Sequence, residues 1–133
     1  MSRLDLRSVV IGAAVALGIL LAAVLIARLI AAGDRESDAL LVLPPAFLIA
    51  FFVGGRVAAT RAPERGYTHA MAAGTLGLVV GVVAGMIEGL VAGRQITAAS
   101  LFFLAIGIPL AASIALLGAA SALRSPQSTK ESP

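Results

Sequence analysis

The sequence predicts an all-α polytopic membrane protein, a bundle of four transmembrane helices with both termini in the cytoplasm. Of its 133 residues 59% are hydrophobic and 13% charged, and the mean hydropathy is +1.02, which lies outside the range of soluble globular domains. Four long apolar runs alternate with short polar segments. Basic residues collect in the polar segments that would lie on one side of a bilayer.

The four predicted spans are joined by connections short enough to make consecutive helices antiparallel neighbours. They lie near residues 9–32, 39–59, 70–92 and 98–123. Residues 1–8 are predicted to form a cytoplasmic N-terminal tail. Residues 124–133 contain two prolines and three serines and are predicted to form a disordered cytoplasmic tail.

The first span must be distinguished from a secretory signal peptide, and the second span contains a pair of prolines. Residues 8–27 form an uncharged run of 20 residues, which exceeds the core of about 7–15 residues of a secretory signal peptide, so a retained helix is expected. In the second span Pro44-Pro45 lies early, which predicts a first-turn or interfacial kink. The alternative is a hinge or broken helix that lines a cavity.

The third span is predicted to be the central helix of the bundle, because it carries glycines four residues apart. A step of four residues turns about 40° around a helix, so the series forms a slowly winding groove against which other helices can pack. Its members are Gly77, Gly81, Gly85, Gly89 and Gly93. The fourth span contains Pro109 near its middle, where a bend is expected.

The positive-inside rule fixes the predicted topology, because seven basic residues fall on one side and three on the other. The seven cytoplasmic ones are Arg3, Arg7, Arg56, Arg61, Arg65, Arg124 and Lys130, and the other three are Arg28, Arg35 and Arg94. The chain has no cysteine, which excludes disulfides and cysteine metal sites, and a net charge of +3 is too small to predict nucleic-acid binding. The bias towards Ala, Gly and Arg indicates a bacterial inner (plasma) membrane protein.

Glu88 is the one acidic residue inside an apolar run, and Arg28 is placed at a similar depth. Glu88 lies five residues before Gly93, and Arg28 five before Gly33, on helices predicted to end on the same side. An ionisable group within the bilayer usually faces protein or water. The two residues are therefore a possible intramembrane ion pair that fixes helix register. A proton- or substrate-binding carboxylate and simple snorkelling of Glu88 to the surface are the alternatives.

The connection between the second and third spans carries Arg56, Arg61 and Arg65. These residues are a possible contact for anionic lipid headgroups at the cytoplasmic face or for a partner protein, or they act only as a topology signal. His69 follows as a single histidine without a second ligand, so an interfacial or capping role is expected rather than a metal site. No catalytic or cofactor-binding motif is present, and Ser113 has no candidate base at its depth.

The segment Gly54-Gly55-x-x-Ala58, followed by a basic connection and by His69 at the start of a glycine-rich span, resembles a group of small four-span bacterial membrane proteins of unknown function. The resemblance covers about 25 residues and implies a four-helix fold without a defined activity.

The function predicted from the sequence is that of a non-enzymatic integral membrane protein, a structural or accessory subunit that packs through its third helix. Its expected partners are the lipid bilayer and either a second copy of the chain or a larger membrane complex. The alternative is a small dimeric transporter or channel that uses Glu88. Small multidrug exporters are similar in size and span number, but they carry their essential carboxylate in the first span, where this chain has none.

Overall fold

The protein is all-α, with four helices that are each long and apolar enough to cross a membrane. The computed structural model describes residues 5–32, 36–96 and 98–124, and of residues 36–40, 99 and 100 it describes the backbone alone. The helices are α1 (Leu6–Ala31), α2 (Glu36–Arg61), α3 (Gly66–Val91) and α4 (Ala98–Leu123), with one short 3-10 turn (Pro63–Arg65) before α3.

The four helices form one bundle in which α2 and α3 contact every other helix. The connections are short, and α1 and α3 run parallel, since the start of α1 meets the start of α3 and their ends also meet. We call the end that holds Asp5 and His69 the His69 end, and the end that holds Arg28 and Glu88 the Glu88 end. The predicted central role of α3 is therefore shared with α2.

Hydrogen bonds explain why α1 begins and α3 ends at the residues where they do. The side chain of Asp5 accepts a hydrogen bond from the backbone N–H of Arg7 and so caps the start of α1. At the end of α3, Arg94 donates its N–H to the carbonyl of Gly89, and Gly93 donates to that of Leu90. This double closure needs a left-handed residue, and Gly93 supplies it with a φ of 74°.

The core consists mainly of alanine and glycine rather than of large side chains. Phe51 is the one large side chain in the described chain that is fully buried, and it lies among apolar residues of all four helices. The alanines with no exposed surface are spaced by four residues on α4 and also lie on α2 and near the start of α3: Ala50, Ala58, Ala59, Ala70, Ala111, Ala115 and Ala119. Small residues let helix backbones approach closely, which is how membrane helices gain packing energy.

The closest backbone approaches involve α2. A Cβ atom added at Gly55 would lie 2.6 Å from the Cα of Ala115, and one added at Gly54 would lie 2.7 Å from the carbonyl oxygen of Gly12. Gly118 of α4 faces the backbone carbonyl of Phe52 just as tightly. These distances are shorter than a Cβ atom tolerates, so α2 packs against α1 and α4 only because glycine is present.

The glycine series of α3 divides into a packed part and an open part. A Cβ atom at Gly77 would meet the ring of Phe51 at 3.4 Å, and one at Gly81 would meet Leu17 at 3.5 Å. At Gly85, Gly89 and Gly93 no atom lies within 4 Å of that position in the described chain. Within this molecule the series is therefore a contact surface only over its first two members.

Three of the four helices begin three or four residues before the predicted spans, while α4 coincides with residues 98–123. A helix can extend beyond the apolar region that crosses a bilayer, so the spans themselves stay predictions. The first-turn interpretation of Pro44-Pro45 is wrong, because both prolines lie about two turns inside α2. Pro109 lies inside α4, and the bend expected there stays a prediction. Gly33, residues 1–4 and residues 125–133 lie outside the described residues.

Candidate functional site

His69 joins the start of α3 to the start of α1. Its side chain is only 2% exposed, and its Nε2 accepts the backbone N–H of Asp5 at 2.9 Å. The other ring nitrogen, Nδ1, lies 2.8 Å from the carbonyl oxygen of Arg65. Since a backbone N–H can only donate and a carbonyl can only accept, Nδ1 donates to the carbonyl of Arg65 in this arrangement and Nε2 accepts from Asp5. His69 thus links the starts of α1 and α3 without capping α3, whose start has no side-chain cap hydrogen bond, and an interfacial role stays a prediction.

Asp5 is held by the same cluster through its side chain. Its carboxylate accepts hydrogen bonds from the hydroxyl of Ser8 and from the backbone N–H of Arg7. The Ser8 hydrogen bond is the main reason why the pKa of Asp5 lies below its ordinary value, because hydrogen bonds to a carboxylate favour the ionised form. Ser8 is itself buried, so this capping arrangement is part of the packed His69 end.

A cavity of about 360 Å³ opens beside this cluster. It is bounded by Asp5, which caps α1, Arg61 at the end of α2, Glu64 and Arg65 on the 3-10 turn, and His69. Arg61 and Arg65, which the sequence singles out, are thus brought to one cavity. Two guanidinium groups and two carboxylates line it, so it offers hydrogen-bonding groups of both charges.

Arg56 is exposed but does not line this cavity, because it lies more than one turn before Arg61 on α2. The three arginines therefore do not form one continuous basic surface around the cavity.

At the opposite end of the bundle, Arg28 Nη2 forms an ion pair with Glu88 Oε1. Each residue lies three positions before the last residue of its helix, so the pair joins the final turns of α1 and α3. A carboxylate near a helix C-terminus is unfavourable because the helix dipole is negative there, and the guanidinium of Arg28 offsets that charge. Both side chains are 62% exposed, so the pair lies on the surface of the bundle.

The interior of the described bundle holds almost no polar side chains. Ser8 and His69 are its buried polar residues, and both lie at the His69 end. Every buried side-chain nitrogen or oxygen that the structure describes has a hydrogen-bond partner. Ser113 donates its hydroxyl to the carbonyl of Pro109 within α4 and is exposed. Among the described residues no group of three or more acidic or histidine side chains could hold a metal ion.

Sequence reasoning did not identify Asp5 and Ser8 as part of a site, nor Gly12, Gly55 and Gly118 as the closest packing positions. The spacing Asp5-x-x-Ser8 at the start of an apolar run is a capping signal that the sequence does carry. The sequence around the glycines gives no such signal, because the atoms that face each glycine depend on which helices pack against each other.

Comparison of the chain with models of known protein families, with curated proteins and with solved structures finds no match. The likeness of the stretch from Gly54 to His69 to small four-span bacterial membrane proteins therefore stays a resemblance.

Proposed function

We propose that the protein is a multi-pass protein of the bacterial inner membrane, with its N and C termini and its α2–α3 connection in the cytoplasm. The four apolar helices support insertion, and the distribution of seven against three basic residues supports this orientation. In this orientation the His69 end is cytoplasmic, and Arg56, Arg61 and Arg65 can contact anionic lipid headgroups.

Within that membrane the protein acts as a non-enzymatic structural or accessory subunit. The observation that carries this proposal is the apolar interior of the bundle, where the buried polar side chains Ser8 and His69 lie at one end and bond within the chain. A transport path through one copy would need polar groups or water along the interior. A hydrolase or transferase would need a nucleophile with a base.

The alternative, a dimeric transporter that uses Glu88, requires this carboxylate to face a water-filled path. Glu88 instead pairs with Arg28 on the outer surface of α1 and α3. The ion pair supports the structural interpretation, in which the two residues hold the ends of two parallel helices in register.

Chemical cross-linking in membranes, followed by purification in mild detergent and mass spectrometry, tests the proposed role. We expect a larger membrane protein, or a second copy of the chain, to co-purify in fixed stoichiometry. A monomer that catalyses substrate flux when reconstituted in vesicles, and loses it as Glu88→Gln, would overturn the accessory role.

The proposed orientation can be tested with single cysteines, because the native chain has none to give background labelling. Glu64→Cys and Gln95→Cys place a thiol on an exposed residue of the α2–α3 and α3–α4 connections, respectively. In intact cells we expect a membrane-impermeant maleimide to label the cysteine at position 95 and not the one at position 64. The reverse pattern would contradict the orientation.

A further inference from the structure

Helices α3 and α4 pack closely over part of their length and then separate towards the Glu88 end. A Cβ atom at Gly74 would lie 2.9 Å from the carbonyl oxygen of Ala111, and one at Gly107 would lie 3.0 Å from the side chain of Leu78. Further along α3, Cβ positions at Gly85 and Gly89 meet nothing within 4 Å. The two helices therefore enclose a cleft of about 320 Å³ that opens near the α3–α4 connection.

The cleft has an apolar interior and a polar mouth. Val82, Gly85, Met86 and Gly89 form one face of α3 along it, and Phe103 of α4 forms the opposite wall. The mouth is formed by the connection, which contributes Arg94, Gln95 and Ile96. The cleft thus combines the two chemistries that an amphiphile presents, an apolar chain and a polar head.

Arg94 supplies a single positive charge at this mouth. None of the residues described along the cleft is acidic, and the described residues show no ion pair of Arg94. The backbone of Arg94 is fixed there by its hydrogen bond to Gly89. The cavity at the His69 end differs, because it has two carboxylates among its charged groups.

The cleft has the size and the lining of a site for an amphiphile. Its volume of about 320 Å³ falls in the usual range of about 300–1,000 Å³ for small-molecule sites. A flexible hydrocarbon chain can follow the apolar walls of α3 and α4, and the positive charge of Arg94 at the mouth complements an anionic headgroup.

We propose that the α3–α4 cleft binds an acyl chain of an anionic phospholipid, whose phosphate is held by Arg94. This inference rests on the proposed bilayer insertion, since that is where the chain would meet such a ligand. Arg94 lies at the end opposite to Arg61 and Arg65, so this lipid site is separate from the proposed headgroup contact at the cytoplasmic face.

Native mass spectrometry of the purified full chain tests the site by titration with phosphatidylglycerol and with diacylglycerol that carries the same acyl chains. We expect one phosphatidylglycerol to bind about fivefold more tightly than diacylglycerol, the factor for one basic residue near an anionic surface. Arg94→Gln should remove that preference. Inorganic phosphate should not displace the lipid, and displacement would overturn the role of the acyl chain.

Gly89→Leu fills the cleft and should lower binding of both lipids at least fivefold. Gly18→Leu is the matched control, because Gly18 of α1 also has open space around it but lies outside the cleft. Equal lipid binding by the two variants would overturn the proposal, and so would a dimer of the native chain that Gly89→Leu dissociates.

Phosphatidylglycerol with a photoreactive group on its acyl chain extends the test to the native chain in vesicles, where no substitution can disturb folding. Labelling concentrated on residues 82–96 and Phe103 supports the cleft, whereas even labelling of all four helices contradicts it. Release of the chain from alkali-washed membranes would contradict bilayer insertion itself, and this outcome is separate from the lipid stoichiometry measured in detergent.

Discussion

Both ends of the bundle contain glycines, but these glycines pack against a neighbouring helix at one end and face open space at the other. At the His69 end Gly12, Gly54 and Gly55 meet backbone or alanine atoms of a neighbouring helix, and the helices are in close contact. Towards the Glu88 end Gly85 and Gly89 meet nothing within 4 Å. A small residue therefore makes a packing surface only where the facing helix also presents a small residue or bare backbone.

The polar residues differ between the ends in the same way. His69 and Ser8 are buried and bond to groups within the cluster, so their contacts are part of the packed core. The ion pair between Arg28 and Glu88 is exposed on the surface. We therefore expect stability to depend strongly on the His69 end and weakly on the Glu88 end.

The largest effect is expected for Gly55→Ala compared with Gly85→Ala. A methyl group at position 55 would lie 2.6 Å from the Cα of Ala115, so α2 and α4 must separate, at a free-energy cost of about 3 kcal/mol or more. At position 85 the methyl group meets nothing, and alanine is favoured over glycine in a helix by about 1 kcal/mol. Thermal unfolding in detergent, followed by circular dichroism, measures both. Equal melting temperatures for the two variants would contradict the difference in packing between the two ends.

His69→Ala should lower the free energy of unfolding by about 2–3 kcal/mol, because it leaves the N–H of Asp5 and the carbonyl of Arg65 without the ring as their partner. Tyr67→Ala is the control on the same first turn of α3, since Tyr67 is 47% exposed, and it should change stability by about 0.5 kcal/mol. Unfolding in a graded denaturing detergent compares the two. A loss no greater for His69→Ala than for Tyr67→Ala would show that the bonds of His69 add nothing to stability.

A double-mutant cycle with Arg28→Ala and Glu88→Ala should give an interaction energy of about 0.5 kcal/mol, because exposed ion pairs are screened by their surroundings. The same unfolding assay applies to the native chain, both single variants and the double variant. A value near zero would mean that the pair does not stabilise the register of α1 and α3. A value above about 2 kcal/mol would mean that the pair is shielded from water, as in an apolar membrane.

The smallest expected effect is the change of stability with pH that Asp5 causes. Folding lowers the pKa of Asp5 below its ordinary value of 3.8, so its ionised form favours the folded state at pH above that value. This contribution disappears as the pH falls through the lowered pKa. Asp5→Asn keeps a good helix cap but cannot ionise, so the native chain should be more stable near neutral pH, and this advantage should shrink below about pH 3.8.

Melting temperatures measured from about pH 6 to about pH 2, a range that spans the ordinary pKa of an aspartate, follow this difference between the native chain and the Asp5→Asn variant. Ser8→Ala is the control, because it removes the main hydrogen bond behind the lowered pKa. In a chain that already carries Ser8→Ala, the effect of Asp5→Asn should therefore change less with pH. A stability difference between the native chain and Asp5→Asn that stays constant over this range would contradict the role assigned to the Ser8 hydrogen bond.

Several features of the fold could be predicted because they depend on local sequence. The apolar runs predict four long helices, and the six-residue stretch from Ala92 to Thr97 contains Gly93, whose left-handed conformation ends α3. Arg28 and Glu88 could be paired in advance because both are counted from helix ends on the same side. The depth of Pro44-Pro45 within α2 could not be predicted in the same way, because the helix begins in the polar residues 36–38, before the apolar run.

The sequence by itself determined the number of helices, their apolar character, their alternating direction and the matching depth of Arg28 and Glu88, because helix length and hydropathy are properties of each segment. Only the tertiary structure decided which glycines make contact, that α2 shares the centre with α3, and that Asp5 and His69 meet across 64 positions. The physical reason is that contact between helices depends on both facing surfaces. A four-residue glycine spacing specifies one of those surfaces, and the rotation of the neighbouring helix supplies the other.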